Sequence, residues 1–117
     1  MAEPAKFALR QIDEELIQFV TRTIVERFHP KKILLFGSYA RGEAKPDSDL
    51  DLMVEMESDK PWHQRVVEMQ SVFSDRDWAM DILVFTPEEM ERERGFLGGV
   101  VRSAEREGKI LYECAEL

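Results

Sequence analysis

Cysteine is almost missing: Cys114 is the only one in 117 residues, and it is accompanied by just two histidines, His29 and His63. A lone thiol closes no internal disulfide, and one thiol with two imidazoles falls short of a four-ligand Cys/His zinc centre. Such thiol usage fits a reducing compartment, so a cytoplasmic location is expected. No apolar run approaches the ~20 residues needed to cross a membrane. The opening MAEPAKFALR lacks the apolar stretch of a signal peptide. Basic residues are outnumbered, with 16 Lys and Arg against 24 Asp and Glu, a net charge of −8. That balance argues against direct, charge-driven nucleic-acid binding, which needs a basic face. A polyphosphate ligand would need metal cations to supply the positive charge. Internal repeats, low-complexity tracts and linker-like stretches are also missing. Instead there is a globular composition, 44% hydrophobic and 34% charged. Residues 1–117 are expected to form a single domain, long enough to bury roughly two-thirds of the unfolded surface.

Apolar residues at Ile12, Leu16, Phe19, Val20, Ile24 and Phe28 recur in steps of three and four and predict a helix over 7–28. His29-Pro30 ends it, because proline pushes its predecessor out of the helical region. Ile33-Leu34-Leu35-Phe36 reads as a strand buried on both faces. Residues 37–48, GSYARGEAKPDS, are rich in turn formers, with a short helix expected at Gly37-Ser38. The stretch 49–55, DLDLMVE, alternates, with Leu50, Leu52 and Val54 on one face and Asp49, Asp51, Met53 and Glu55 on the other. Pro61 opens a helix carrying Trp62, Val66, Met69 and Phe73. Residues 78–85, WAMDILVF, predict another strand, and Thr86-Pro87-Glu88-Glu89 is a helix start with its cap. The glycines of 95–99 interrupt that helix; a further helix and a last strand at Lys109–Glu113 follow. The order implies an α/β fold, a small mixed sheet covered by helices.

The chemistry-bearing feature links two of these strands. Asp49 and Asp51 project from one strand face about 6–7 Å apart. Carboxylates that close repel each other unless cations lie beside them, and such hard oxygen donors suit Mg²⁺ or Mn²⁺. Ten residues earlier, Gly37-Ser38 ends the preceding strand. A glycine there lets backbone N–H groups approach an anion, and the serine hydroxyl adds a donor. Asp81, an acid amid Trp78, Met80, Ile82, Leu83, Val84 and Phe85, has little reason to be there for packing. If its strand neighbours that of Asp49 and Asp51, three carboxylates converge.

GSYARGEAKPDSDLDLMVE followed by MDILVF resembles the minimal nucleotidyltransferases of the DNA polymerase beta-like superfamily, whose signature is Gly-Ser, ten residues, Asp-x-Asp and a later strand Asp. The resemblance spans the chain from about the first strand to the last. It implies the polymerase beta-like nucleotidyltransferase fold, with ATP as substrate and two Mg²⁺ ions (Mn²⁺ as substitute) on Asp49, Asp51 and Asp81. It further implies Gly37 and Ser38 on the β- and γ-phosphates, with Asp81 orienting the acceptor-side metal and taking the hydroxyl proton. The implied role is an antitoxin that joins a HEPN-domain ribonuclease toxin in a hetero-oligomer and transfers AMP onto one of its tyrosines. A small-molecule acceptor and a non-catalytic subunit that blocks its partner sterically are the alternatives.

Other residues have plainer readings. Arg41 either contacts phosphate or braces the loop by pairing with an acid. Asp47 and Gly42 fit turn chemistry. Tyr39 fits packing or the site equally, and Trp62 and Trp78 fit packing better than base stacking. The charge run Glu88, Glu89, Glu91, Arg92, Glu93, Arg94 reads as a solvated helix face.

Overall fold

Nine elements follow one another along the described residues 10–115 of the structure, a computed structural model. Helix α1 spans Glu14–Phe28. The Asp13 carboxylate caps it by accepting the Leu16 N–H at 2.9 Å, and Glu14 and Glu15 in the first turn suit the helix dipole. Of the expected helix over 7–28, positions 7–9 lie outside the described residues and 10–13 precede the first helical turn. The far end stops at His29, whose φ of 51° is left-handed, immediately before Pro30. There follow β1 (Lys32–Phe36), α2 (Gly37–Arg41), β2 (Leu50–Glu55), α3 (Trp62–Ser71), β3 (Met80–Phe85), α4 (Pro87–Glu93), α5 (Val100–Glu107) and β4 (Lys109–Glu113).

The strands form one sheet in the order β3-β2-β1-β4. β1 is antiparallel to both β2 and β4, whereas β2 and β3 are parallel, so the sheet is mixed. A parallel pair cannot be joined by a tight hairpin, and α3 supplies the crossover. One sheet face packs Leu16, Ile17, Val20 and Ile24 of α1 and Met69 of α3 against Ile33, Leu35, Leu52, Val54, Ile82 and Val84. The other holds a smaller cluster of Leu34 and Met53 with Met90, Val101 and Ala104 from α4 and α5. Here the alternation read from the sequence needs correcting. Met53 shares its strand face with the acids, yet it is only 1% exposed, because α4 and α5 cover that face away from the carboxylates.

The charged run on α4 is likewise more than a solvated face. Thr86 and Glu89 form a reciprocal capping box. The same Glu89 carboxylate accepts two hydrogen bonds from Arg65 of α3, at 2.7 and 3.0 Å. Arg65 is buried, and it also donates to the carbonyls of Lys60 and Val84. The Arg65 hydrogen bonds, partly offset by burial, hold the Glu89 carboxyl down to about 2. This clamp ties α3 to α4 at the C-terminal ends of β2 and β3, opposite the end where the acids gather.

Candidate active site

The site assembles where β1 ends and β2 and β3 begin. Antiparallel register sets Phe36 opposite Asp51, and parallel register sets Asp51 beside Asp81. Residues paired this way project to the same side of a sheet, so the Asp51 and Asp81 carboxyls are neighbours on adjacent strands. Asp49 immediately precedes β2, two residues before Asp51.

Gly37, the first residue of α2, has a φ of 74°, and a Cβ built on it would lie 2.2 Å from Oδ2 of Asp51. The missing side chain is therefore what lets the Asp51 carboxylate rest against the backbone of the turn. Ser38 is the next residue, and its carbonyl accepts the Glu43 N–H at 2.9 Å, closing the short helix at the left-handed Gly42. The glycine-serine turn and the central carboxylate, thirteen to fourteen positions apart in sequence, are thus in contact.

Asp51 is half-buried, and its carboxyl is pushed up to about 6, first by burial, then by the charges of Asp81 and Asp49; Arg41 pulls it partly back. Asp49 and Asp81 are exposed. For Asp81 this differs from the sequence argument, which rested on an acid among apolar neighbours. Alternation along β3 turns Met80, Ile82 and Val84 to the core, while Asp81 at the start of the strand lies exposed on the opposite face beside Asp51.

Among the described residues no three His, Cys, Asp or Glu side chains stand close enough together to cage a metal ion. The donor set nonetheless fits a hard divalent cation. Two adjacent carboxylates share one sheet end, a third lies within electrostatic reach, and the central one bears a repulsion that a cation relieves. Mg²⁺ keeps several waters and is held by one or two carboxylates plus substrate phosphates, so a complete protein cage is not required.

Arg41 sits at the end of α2 and braces the loop. Its Nε donates to Glu43 at 2.9 Å, and its Nη1 lies 3.9 Å from Glu107 at the end of α5. These two glutamates escaped the sequence reading. Glu43 had a signal, two residues beyond Arg41; Glu107 had none, being brought in by the fold. Tyr39 packs at the fringe of the core, and Trp78 is buried against Phe73, whereas Trp62 is 43% exposed on α3. A groove of about 470 Å³ lies between α1 and β4, and none of the carboxylates lines it.

A small mixed sheet with acids on two parallel strands facing a glycine-serine turn defines the nucleotidyl-transfer class of α/β domains. The chain belongs to the nucleotidyltransferase domain family, which matches residues 17–111. It is similar to the protein adenylyltransferase MntA of Thermococcus cleftensis, 43% identical over 53 residues that cover 45% of this chain and 52% of that protein. The chain spans about half the length of the curated relatives it matches. Among solved structures, a protein from Sulfolobus solfataricus assigned provisionally as a nucleotidyltransferase superposes with a TM-score of 0.59 at 18% identity, over 85% of this chain and 78% of that one. A toxin–antitoxin crystallised with AMP-PNP superposes with a TM-score of 0.57 at 22% identity, over 84% and 74%. At these identities the structural likeness is one of fold.

Proposed function

We propose that residues 1–117 act as a single minimal nucleotidyltransferase domain that transfers AMP from ATP to a hydroxyl of a partner protein. The reading is carried by one observation: Asp51, in register with Asp81, lies against Gly37, where a side chain would collide with it. In this arrangement the backbone at Gly37 and the Ser38 hydroxyl receive the β- and γ-phosphates, and Arg41 adds a fixed positive charge. Asp49, Asp51 and Asp81 hold the divalent cations, Mg²⁺ or Mn²⁺. Held by these carboxylates, such cations would supply charge neutralisation for an in-line displacement. The acceptor oxygen forms a bond to the α-phosphorus, the bond from that phosphorus to the β-bridging oxygen breaks, and pyrophosphate leaves. The acceptor's proton passes to the Asp81 carboxylate, which is exposed and so accessible to a large acceptor. Most of the acceleration comes from positioning and electrostatics.

The acceptor we favour is a tyrosine of a HEPN-domain ribonuclease toxin, with this chain as its antitoxin in a cytoplasmic hetero-oligomer. The similarity to a protein named as an adenylyltransferase and the shared fold with a toxin–antitoxin bound to AMP-PNP support that choice. Among the described residues no helix is long and apolar enough to cross a membrane. The test is incubation with α-³²P-ATP, MgCl₂ and the product of the adjacent reading frame. Label on that partner is expected, absent with EDTA and with Asp49→Asn or Asp51→Asn. Neutralisation of the partner by Asp51→Asn without nucleotide would instead identify a steric blocker.

A further inference from the structure

Arg41 is held from two sides by acids that the phosphate chemistry does not require. Glu43 takes its Nε from the loop just after α2, at 2.9 Å. Glu107, the last residue of α5, pairs its Oε1 with Arg41 Nη1 at 3.9 Å while its Oε2 accepts a hydrogen bond from Arg106 at 3.2 Å. The second acid is not placed casually. The next residue, Gly108, packs so tightly that a Cβ on it would lie 2.3 Å from the Ala104 carbonyl oxygen and 2.6 Å from that of Leu35. Leu35 belongs to β1, two positions before Gly37, so the end of α5 is pinned to the strand that carries the glycine-serine turn. Arg41 is also close enough to Asp51 to act on its charge.

We infer that Glu107, together with Glu43, is a positioning residue for the nucleotide, fixing the Arg41 guanidinium so that its remaining N–H groups face the phosphates. The physical basis is the fork geometry of arginine. Glu43 accepts the Nε hydrogen bond and Glu107 attracts the Nη1 end as an ion pair at 3.9 Å, so the guanidinium is oriented while its Nη N–H groups stay free to donate. An arginine on a free side chain loses rotamer freedom when it binds phosphate; one already held loses less. The two acids thus give up some of Arg41's charge and gain its orientation. The inference rests on the nucleotide reading of the site given above.

The test is titration calorimetry of the whole chain with ATP and with AMP, each in excess MgCl₂. Arg41→Gln is expected to weaken ATP about tenfold, and Glu107→Gln about threefold, the range open to a partly exposed ion pair. The double variant Glu43→Gln/Glu107→Gln is expected to approach Arg41→Gln. Adding Glu107→Gln to Arg41→Gln should cost nothing further, and Glu107→Asp should restore part of the loss. AMP affinity and the melting temperature should stay at the wild-type values, which a merely structural role for Glu107 would not allow. Equal ATP affinity in Glu107→Gln and wild type, or an unchanged Glu107→Gln penalty in the Arg41→Gln background, overturns the inference alone. No ATP binding by the unmodified chain overturns the nucleotide reading and the inference with it.

Discussion

Replacing Asp51 with asparagine should make the ligand-free protein more stable while destroying transfer. The carboxyl is half-buried and faces two like charges, which raises it from the usual 3.8 to about 6. At about 1.4 kcal/mol per pH unit, the corresponding folding penalty at neutral pH is at most about 3 kcal/mol. Water reaches part of the group, and screening brings the expected figure to about 1–2 kcal/mol. The sign follows from proton binding. Between about 4 and 6 the folded state holds the proton more tightly than the unfolded state, so stability falls as pH rises. The penalty is complete above pH 6 and absent below 3.8. Asparagine keeps the shape and removes the charge. Thermal unfolding in EDTA at pH 7.5 should therefore show Asp51→Asn melting about 4–8 °C above wild type, at about 4 °C per kcal/mol for a domain of this size. The gap should close as the pH is lowered to 4. Added MgCl₂ should raise the wild-type melting temperature more than that of the variant, which has lost the central one of three carboxylates placed to hold a cation. A variant less stable than wild type at pH 7.5, or a gap that does not narrow with acid, would refute the account of Asp51 as a desolvated charge kept for function rather than for stability.

Four further outcomes follow from other contacts. Arg65→Ala leaves the Glu89 carboxylate without its guanidinium and should cost about 3 kcal/mol in urea unfolding at pH 7. Because Glu89 is held down to about 2 from the usual 4.5, its contribution is present above pH 4.5 and lost as pH falls through 2; Glu89→Gln should remove that acid-limb dependence, and an unaltered acid limb would count against the pair. Gly37→Ala must adopt a left-handed φ of 74° with a Cβ 2.2 Å from Asp51 Oδ2, so it should lose about 1–2 kcal/mol and all transfer activity; wild-type labelling of the acceptor would contradict the contact. Met53→Ala, which empties a side chain 1% exposed between β2 and the α4–α5 pair, should cost about 2–4 kcal/mol by chemical denaturation, whereas a cost near zero would place Met53 on a solvated face after all.

The local chemistry of the chain was legible wherever one residue type admits one physical role. Apolar steps of three and four marked α1, Thr86-Pro87-Glu88-Glu89 marked the start of α4, and the spacing from Gly37-Ser38 to Asp49-Leu50-Asp51 marked the residues of the candidate site. These are short-range signals: periodicity, capping and the direction in which alternate strand residues point. Long-range placement left no such trace. Nothing in the order of residues announced that Glu89 would reach back to a buried Arg65, or that α4 and α5 would cover Met53. Nor did any spacing connect Glu107 to Arg41, since α5 is carried to the end of β1 by the tight packing of Gly108.

The sequence by itself determined the elements, the mixed α/β class and the candidate residues, because each depends on neighbours a few positions away. Only the tertiary structure decided that Asp81 stands beside Asp51, that Gly37 must be bare to admit that carboxylate, and that Glu107 comes within ion-pair distance of Arg41. Strand pairing and helix packing join positions far apart in the chain, and their register is set by how the whole core closes rather than by any single segment.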